Sequence, residues 1–409
     1  MKNYILIGNS AAAVGCAEGI RSLDGVDKIT FISDELHHTY SRPLISYMLQ
    51  GKIRREKMTY RDADFYKVSN AEFIAGVRVE RILPNENEIL LSNGKTLSYD
   101  DLLVATGSRA FVPPIDGLDT VKDKFTFMSL DDALSLEAVL SKEKTVLIVG
   151  AGLIGLKCAE GVAERVGQVV VTDIAERVLP SILDKNSSET VKKHLEQNKV
   201  KFILNDQIRL LEANKAYFKG GAEVGFDILV VASGVRPNTE LVSAAGGAVE
   251  RGIVVDDYMK TTLPHVYAAG DCTLSYDISA GQKKILALLP NAYMQGFVAG
   301  LNMSGGEKKY ENAIPMNSIG FFGLHIVSAG SYTGEEHVVK TPHGSKRFYV
   351  KDNLLKGYIN IGDIERSGIY TALIRETVPL DTIDFEMIKQ RPQLMAFDRQ
   401  RRASLLSGR

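Results

Sequence analysis

No apolar run in this 409-residue chain approaches the ~18 residues of a membrane span. No signal peptide is expected either, since Met1-Lys2-Asn3 goes straight into the apolar stretch Tyr4 to Ile7. Cysteine is scarce. Cys16, Cys158 and Cys272 form an odd count, far apart in sequence, which suits a reducing cytoplasm and not a disulfide scaffold. An excess of either charge is missing too: with 24% charged residues and a net charge of −1, neither a nucleic-acid nor a membrane partner is expected. What is present is a globular composition, 45% hydrophobic, at a length that requires two or three domains.

The most informative stretch is Val146 to Val149 followed by Gly150-x-Gly152-x-x-Gly155 and a helical run, Leu156 to Val166. The first glycine makes the tight turn, the second admits a pyrophosphate, and the third lets the helix pack on the strand. Phosphates then meet the free N–H groups at the helix N-terminus. A second strand ends at Asp173, 23 residues after Gly150, where a carboxylate meets an adenosine ribose 2′-OH.

A poorer copy opens the chain. Gly8-x-Ser10-x-x-Ala13 keeps one glycine of three; Ser10 could donate its hydroxyl to a phosphate, and Ala13 is the smallest substitute at a helix contact. The next strand, Lys28 to Ile32, ends in Ser33-Asp34-Glu35, with Asp34 26 residues beyond Gly8. Arg42, in Tyr40-Ser41-Arg42-Pro43, can pair with a phosphate in fork geometry. His37-His38 reads as loop, because no further ligand follows at metal spacing, and no metal is expected.

Residues 60–95 are mixed, apart from strand-like Glu88 to Leu91. A strand ending in Ala105-Thr106-Gly107-Ser108-Arg109, then Pro113-Pro114, marks a boundary. Gly234-Val235-Arg236-Pro237-Asn238 repeats the strand-then-glycine exit, so the nucleotide unit between them reads as an insertion. Another strand ends in Gly270-Asp271, placing a carboxylate where ligand hydroxyls would be bound, and a helical run from Pro290 to Asn302 follows. The last hundred residues alternate, as in Arg347 to Val350 and Gly357 to Ile361, and suggest an antiparallel sheet with a helix at Thr371 to Glu376. Asp398 to Arg402 reads as a basic, solvated helix end.

Together, the two fingerprints, Tyr40-Ser-Arg-Pro-Leu44, Ala105-Thr-Gly107, Gly234-Val-Arg-Pro-Asn238 and Tyr267-Ala-Ala-Gly-Asp271 make the chain resemble the pyridine nucleotide–disulfide oxidoreductase superfamily over nearly its whole length. The resemblance implies an α/β fold with two Rossmann-like, three-layer nucleotide-binding domains and a C-terminal α+β interface domain. It implies FAD bound by residues 1–110 with 237–308, NAD(P)H bound by 111–236, and an interface domain over 309–409. The expected FAD contacts are Gly8, Ser10, Ala11, Ala12, Asp34, Glu35, Arg42, Pro43, position 78 (in Val77-Arg78-Val79), Ala105, Thr106, Gly107, Arg109, Gly270, Asp271 and Pro290. Those for the nicotinamide nucleotide are Gly150, Gly152, Leu153, Ile154, Gly155, Asp173 and Gly234. Asp173 favours NADH over NADPH, since a carboxylate repels a 2′-phosphate; Arg177 is near enough in sequence to soften this.

Disulfide reductases of the superfamily carry Cys-x4-Cys near the flavin, and the peroxidase, oxidase and coenzyme A disulfide branches carry one cysteine. Tyr40 to Gly51 has none. Cys16, Cys158 and Cys272 read as packing residues. The chain is then most similar to the NADH:rubredoxin reductase, nitrite-reductase flavin-domain and ferredoxin-reductase branch. That implies a cytoplasmic monomer or homodimer passing electrons from NADH through FAD to a separate iron–sulfur or rubredoxin-type carrier. The alternatives are an oxidase or diaphorase, or an FAD-bearing, NADH-sensing binding protein. One departure stands out: where many ferredoxin reductases pair a Lys with a Glu, this chain has Tyr47 and Lys157. Lys157 is therefore expected to stabilise the reduced flavin, or else to pair with a surface carboxylate such as Glu160 or Glu164.

Overall fold

The computed structural model describes residues 2–397 and 399–407. Two five-stranded parallel sheets carry the architecture, and they are wound alike. The first has the order Ala71–Ala75, Lys28–Ser33, Asn3–Ile7, Asp101–Val104, Val266–Ala268. The second runs Val200–Leu204, Gln168–Asp173, Thr145–Val149, Ile228–Val231, Lys124–Phe125. In each, the fingerprint strand is central, with its partners in parallel register: Ile5 lies opposite Thr30 and Leu102, and Leu147 opposite Val170 and Leu229.

Central strands covered on both faces must be apolar along their length. Leu6, Val146, Leu147 and Ile148 are accordingly fully buried, each contributing about 1.5–3 kcal/mol. A three-stranded antiparallel layer follows Ala71–Ala75 in the first unit and Val200–Leu204 in the second, at 79–98 and at 208–225. Val235–Pro237 pairs antiparallel with Ser108–Ala110, so the chain leaves and re-enters the first unit through one two-stranded ribbon.

The mixed stretch 60–95 holds both an edge strand, Ala71–Ala75, and the antiparallel layer. The edge strand escapes notice because none of its five residues is fully buried, so no apolar run marks it. The second fingerprint helix spans Leu153–Val162 and ends before the expected Val166. The C-terminal region forms a five-stranded antiparallel sheet whose middle strand is Leu354–Ile361. Its helix, Gly368–Arg375, starts three residues before the expected Thr371. At the tail a helix covers Arg399–Ser407, while Asp398 lies outside the described residues.

The first fingerprint helix, Ala11–Arg21, is covered by Leu289–Met303 at backbone range. A Cβ at Gly15 or Gly19 would collide with the carbonyls of Tyr293 or Phe297, and one at Gly296 or Gly300 with those of Ala12 or Cys16. Small residues on both faces are what allow that approach. The second sheet shares its core with Tyr40, Ile45, Met48, Leu49 and Met58 and with Phe321, Ile326, Tyr349, Ile359 and Ile361 of the C-terminal sheet.

Candidate functional site: two dinucleotide cradles

Both glycine turns lie at the carboxyl ends of central strands. In the second, Gly150 has φ +124° and a Cβ would collide with the Ala232 carbonyl; one at Gly155 would collide with the Gly150 carbonyl. Gly152 differs. A Cβ there meets nothing within 4 Å, so its backbone borders open space at the N-terminus of Leu153–Val162. That is the room a pyrophosphate needs. Asp173 closes the loop, its two oxygens accepting from the N–H groups of Ala151 (2.6 Å) and Ala175 (2.8 Å). The carboxylate expected to meet the ribose therefore also braces the turn. Arg177 is held by Glu176 and the Pro180 carbonyl.

In the first turn Gly8 has φ +120° and a Cβ would strike the Ala105 carbonyl, the counterpart of Gly150 against Ala232. Ser10 caps the helix without a side-chain bond, which leaves its hydroxyl available to a phosphate. Ala11 and Ala12 face packing more than open space: both are buried, and Ala12 lies against Gly270 and Gly296. The two carboxylates part company. Glu35 accepts from Tyr40 Oη (2.8 Å) and from Arg42, whereas Asp34 is exposed and pairs with Arg78 at 3.0 Å. Position 78 is thus a rim arginine, and the buried valine beside it is Val79.

Arg42 also donates to the Met128 carbonyl (3.2 Å) and lies 5.2 Å over the Tyr40 ring, so it ties the first unit to the second. Desolvation alone would weaken its hold on the proton, but Tyr40, Glu35 and Asp271 outweigh that and keep the guanidinium above its ordinary range. Pro43 is exposed next to it. Thr106 and Asn238 exchange hydrogen bonds of 2.7 and 2.9 Å, joining the Ala105-Thr-Gly107 turn to the Gly234 turn. Gly107 (φ +63°) and Gly234 (φ +106°) both border open space. Arg109 is exposed and bound to Glu240 at 2.8 Å, at the ribbon. Burial pushes the Asp271 carboxyl above its usual range, against the opposing pull of Ser108 and Arg42. Gly270 N–H is anchored on Gln295 (2.7 Å), and Pro290 opens the covering helix.

All three cysteines are fully buried and unpaired as disulfides. Burial pushes the Cys272 thiol up to about 11, so no thiolate is available at neutral pH. Among the described residues no group of three His, Cys, Asp or Glu could hold a metal; His37 pairs with Asp131 at 2.7 Å. No helix among the described residues is long and apolar enough to cross a membrane.

Lys157 sits where three segments meet. Its ammonium donates to Glu160 and to the Gly320 carbonyl (3.1 Å) and lies 4.4 Å over the Tyr47 ring. The carboxylate is not at the surface: Glu160 is 3% exposed. The sequence named Glu160 as a possible partner of Lys157 but placed it at the surface, and it missed Asn9, which takes Tyr66 Oη (2.7 Å) and donates to the His37 carbonyl (3.1 Å). The i, i+3 spacing of Lys157 and Glu160 was the available signal.

Residues 2–296 match the family model described as pyridine nucleotide-disulphide oxidoreductase. The chain belongs to this family. Its relatives include the epsilon subunit of the NADH-dependent phenylglyoxylate dehydrogenase of Aromatoleum evansii, 31% identical over 91% of either chain. The assimilatory nitrate reductase electron transfer subunit of Bacillus subtilis is 30% identical over 92% of this chain, which spans 49% of that protein. In fold it is similar to the covalent putidaredoxin reductase–putidaredoxin complex, with a TM-score of 0.88 and 22% identity over 95% of this chain and 96% of that one. This family member is an FAD-dependent oxidoreductase of NADH, and its open glycine cradles and free Ser10 hydroxyl fit both dinucleotides.

Proposed function

We propose that the chain oxidises NADH and passes the electrons, through FAD, to a separate small iron–sulfur or rubredoxin-type protein. FAD supplies the conversion of a two-electron hydride donor into one-electron steps. The observation that carries the reading is the absence of a sulfur relay: the segment Tyr40 to Gly51 has no cysteine, and the three present are sealed in cores. Disulfide and peroxide chemistry need a thiolate at the ring.

In this reading residues 1–110 with 237–308 hold FAD, 111–236 hold NADH, and 309–409 form the interface domain. Gly8, Ser10, Arg42, Thr106, Gly107 and Asp271 grip FAD. Gly150, Gly152 and Asp173 grip NADH, and Lys157 faces the crossing between the two. Arg42, spanning both units, holds them in register for hydride transfer. The protein works in the cytoplasm, as a monomer or homodimer.

Anaerobic stopped-flow with NADH, followed by addition of a rubredoxin or a [2Fe–2S] ferredoxin, tests this. Rapid flavin bleaching and fast reduction of one carrier are expected. Fast aerobic turnover to peroxide or water with no gain from either carrier overturns it in favour of an oxidase. A slow, persistent charge-transfer complex overturns it in favour of an NADH-sensing protein.

A further inference from the structure

Lys157 and Glu160 lie on one face of the helix Leu153–Val162, with side chains 15% and 3% exposed. Both carboxylate oxygens are committed, one to the Lys157 ammonium and the other to the Phe322 N–H at 2.8 Å. The ammonium in turn reaches the Gly320 carbonyl and the ring faces of Tyr47 (4.4 Å) and Phe321 (5.6 Å). Thus one buried carboxylate joins the nicotinamide-side helix to the end of the first C-terminal strand, Met316–Phe321. It does so under the helix Ile45–Leu49, which directly follows Arg42 and Pro43.

The place matters. A pyrophosphate at the Gly152 turn and a flavin along Arg42 and Pro43 must face each other where Ile45–Leu49 meets Leu153–Val162. Gly161 of the second helix is packed there on Ser46 and Leu49, a Cβ at Gly161 lying 3.2 Å from the Ser46 carbonyl. A lone ammonium at such a crossing would act as a full positive charge. Paired with a buried carboxylate it acts as a dipole, whose field dies away faster with distance.

We propose that Glu160 is a positioning residue that sets how much of Lys157's charge reaches the flavin, and that the C-terminal strand end holds it in place through Phe322. The inference rests on the reading that FAD lies along Arg42, but not on the identity of the electron acceptor. The C-terminal unit then belongs to the redox site as well as to any partner surface. Because the charges cancel in pairs, the four combinations at these two positions should have a definite order.

The test is a dye-equilibrated redox titration of the bound flavin in the FAD-loaded protein, with its rate of reduction by NADH, no carrier being present. Glu160→Gln keeps an oxygen for the Phe322 N–H and removes only charge. Its flavin potential should rise, with reduction faster by about threefold or more. Lys157→Met should lower the potential and slow reduction by about tenfold. The double variant, neutral again, should return close to wild type, as should Lys157→Arg; melting curves of all four check folding. Single variants that shift the potential in one common direction, or a double variant that stays as far from wild type as either single variant, overturn the proposal and leave Glu160 a strut. No shift in any variant overturns it also, by placing Lys157 out of range of the ring. Failure of the carrier reading would show instead in wild-type protein that bleaches with NADH yet reduces no rubredoxin or ferredoxin, a measurement independent of these titrations.

Discussion

The two nucleotide units share a winding order but are finished differently. In each, the first glycine turns against the carbonyl that ends the fourth strand, Gly8 on Ala105 and Gly150 on Ala232. Glycine is obligatory there, because backbone meets backbone at positive φ. At the third position the units diverge. Gly155 presses its helix onto the Gly150 carbonyl, whereas Ala13 carries a methyl group, and the closest helix contact in that unit has moved outward, to the glycine stripe shared with Leu289–Met303. The first unit is thus closed by its own late helix. The second is closed by its neighbours, since its core is continuous with residues 40–58 and the C-terminal sheet. A fingerprint can lose glycines where helix meets strand, provided another face supplies the close packing.

Breaking the outward contact should have the largest effect. Gly296→Val would drive a side chain into the Ala12 carbonyl, costing about 3 kcal/mol or more. The melting temperature and FAD retention should fall together. Gly161→Ala, against the Ser46 carbonyl at 3.2 Å, should cost only about 1 kcal/mol and leave FAD bound. If the two changes are equal, the units are closed alike and the comparison fails.

Next in size is a change at the open glycine. Gly152→Ala meets no protein atom within 4 Å and has φ −78°. Folding should therefore be untouched, while the Kd for NADH rises by about tenfold, or about 1.4 kcal/mol. Equilibrium titration of the flavin-loaded protein reads this. Gly150→Ala, by contrast, should destabilise the protein outright.

Asp173 sharpens the same point. Asp173→Ala removes the acceptor of two backbone N–H groups, at about 1–3 kcal/mol. A narrowed NADH/NADPH preference should therefore come with a lower melting temperature. Asp173→Asn, which keeps one acceptor oxygen, should separate the two effects.

The smallest effect belongs to Asp271. Its folded carboxyl is raised, chiefly by burial. The folded FAD-free protein then holds that proton more tightly than the unfolded chain, and stability is lost as pH rises from about 4 through the raised value. Asp271→Asn should flatten that slope in melts of FAD-free protein while weakening FAD retention. An unchanged slope would show that Asp271 is not the group responsible.

Much of this was open to reading along the chain. The runs Tyr4 to Ile7 and Val146 to Val149 are apolar because parallel strands are covered on both faces, and their glycine exits are local demands of backbone geometry. Absences were equally legible, since a stretch without cysteine cannot supply a sulfur relay. Ala71–Ala75 was not, because an edge strand with half-exposed residues leaves no run to see.

The sequence by itself determined the two strand–glycine–helix turns, the carboxylates that follow them and the missing thiols, all matters of residues within one short stretch. Only the tertiary structure decided which partner each charge would take. Arg42 reaches the Met128 carbonyl 86 residues away, and Lys157 the Gly320 carbonyl 163 residues away. The physical reason is that a charge takes the partner that burial brings within a few ångströms, and packing, not spacing along the chain, selects which partner that is.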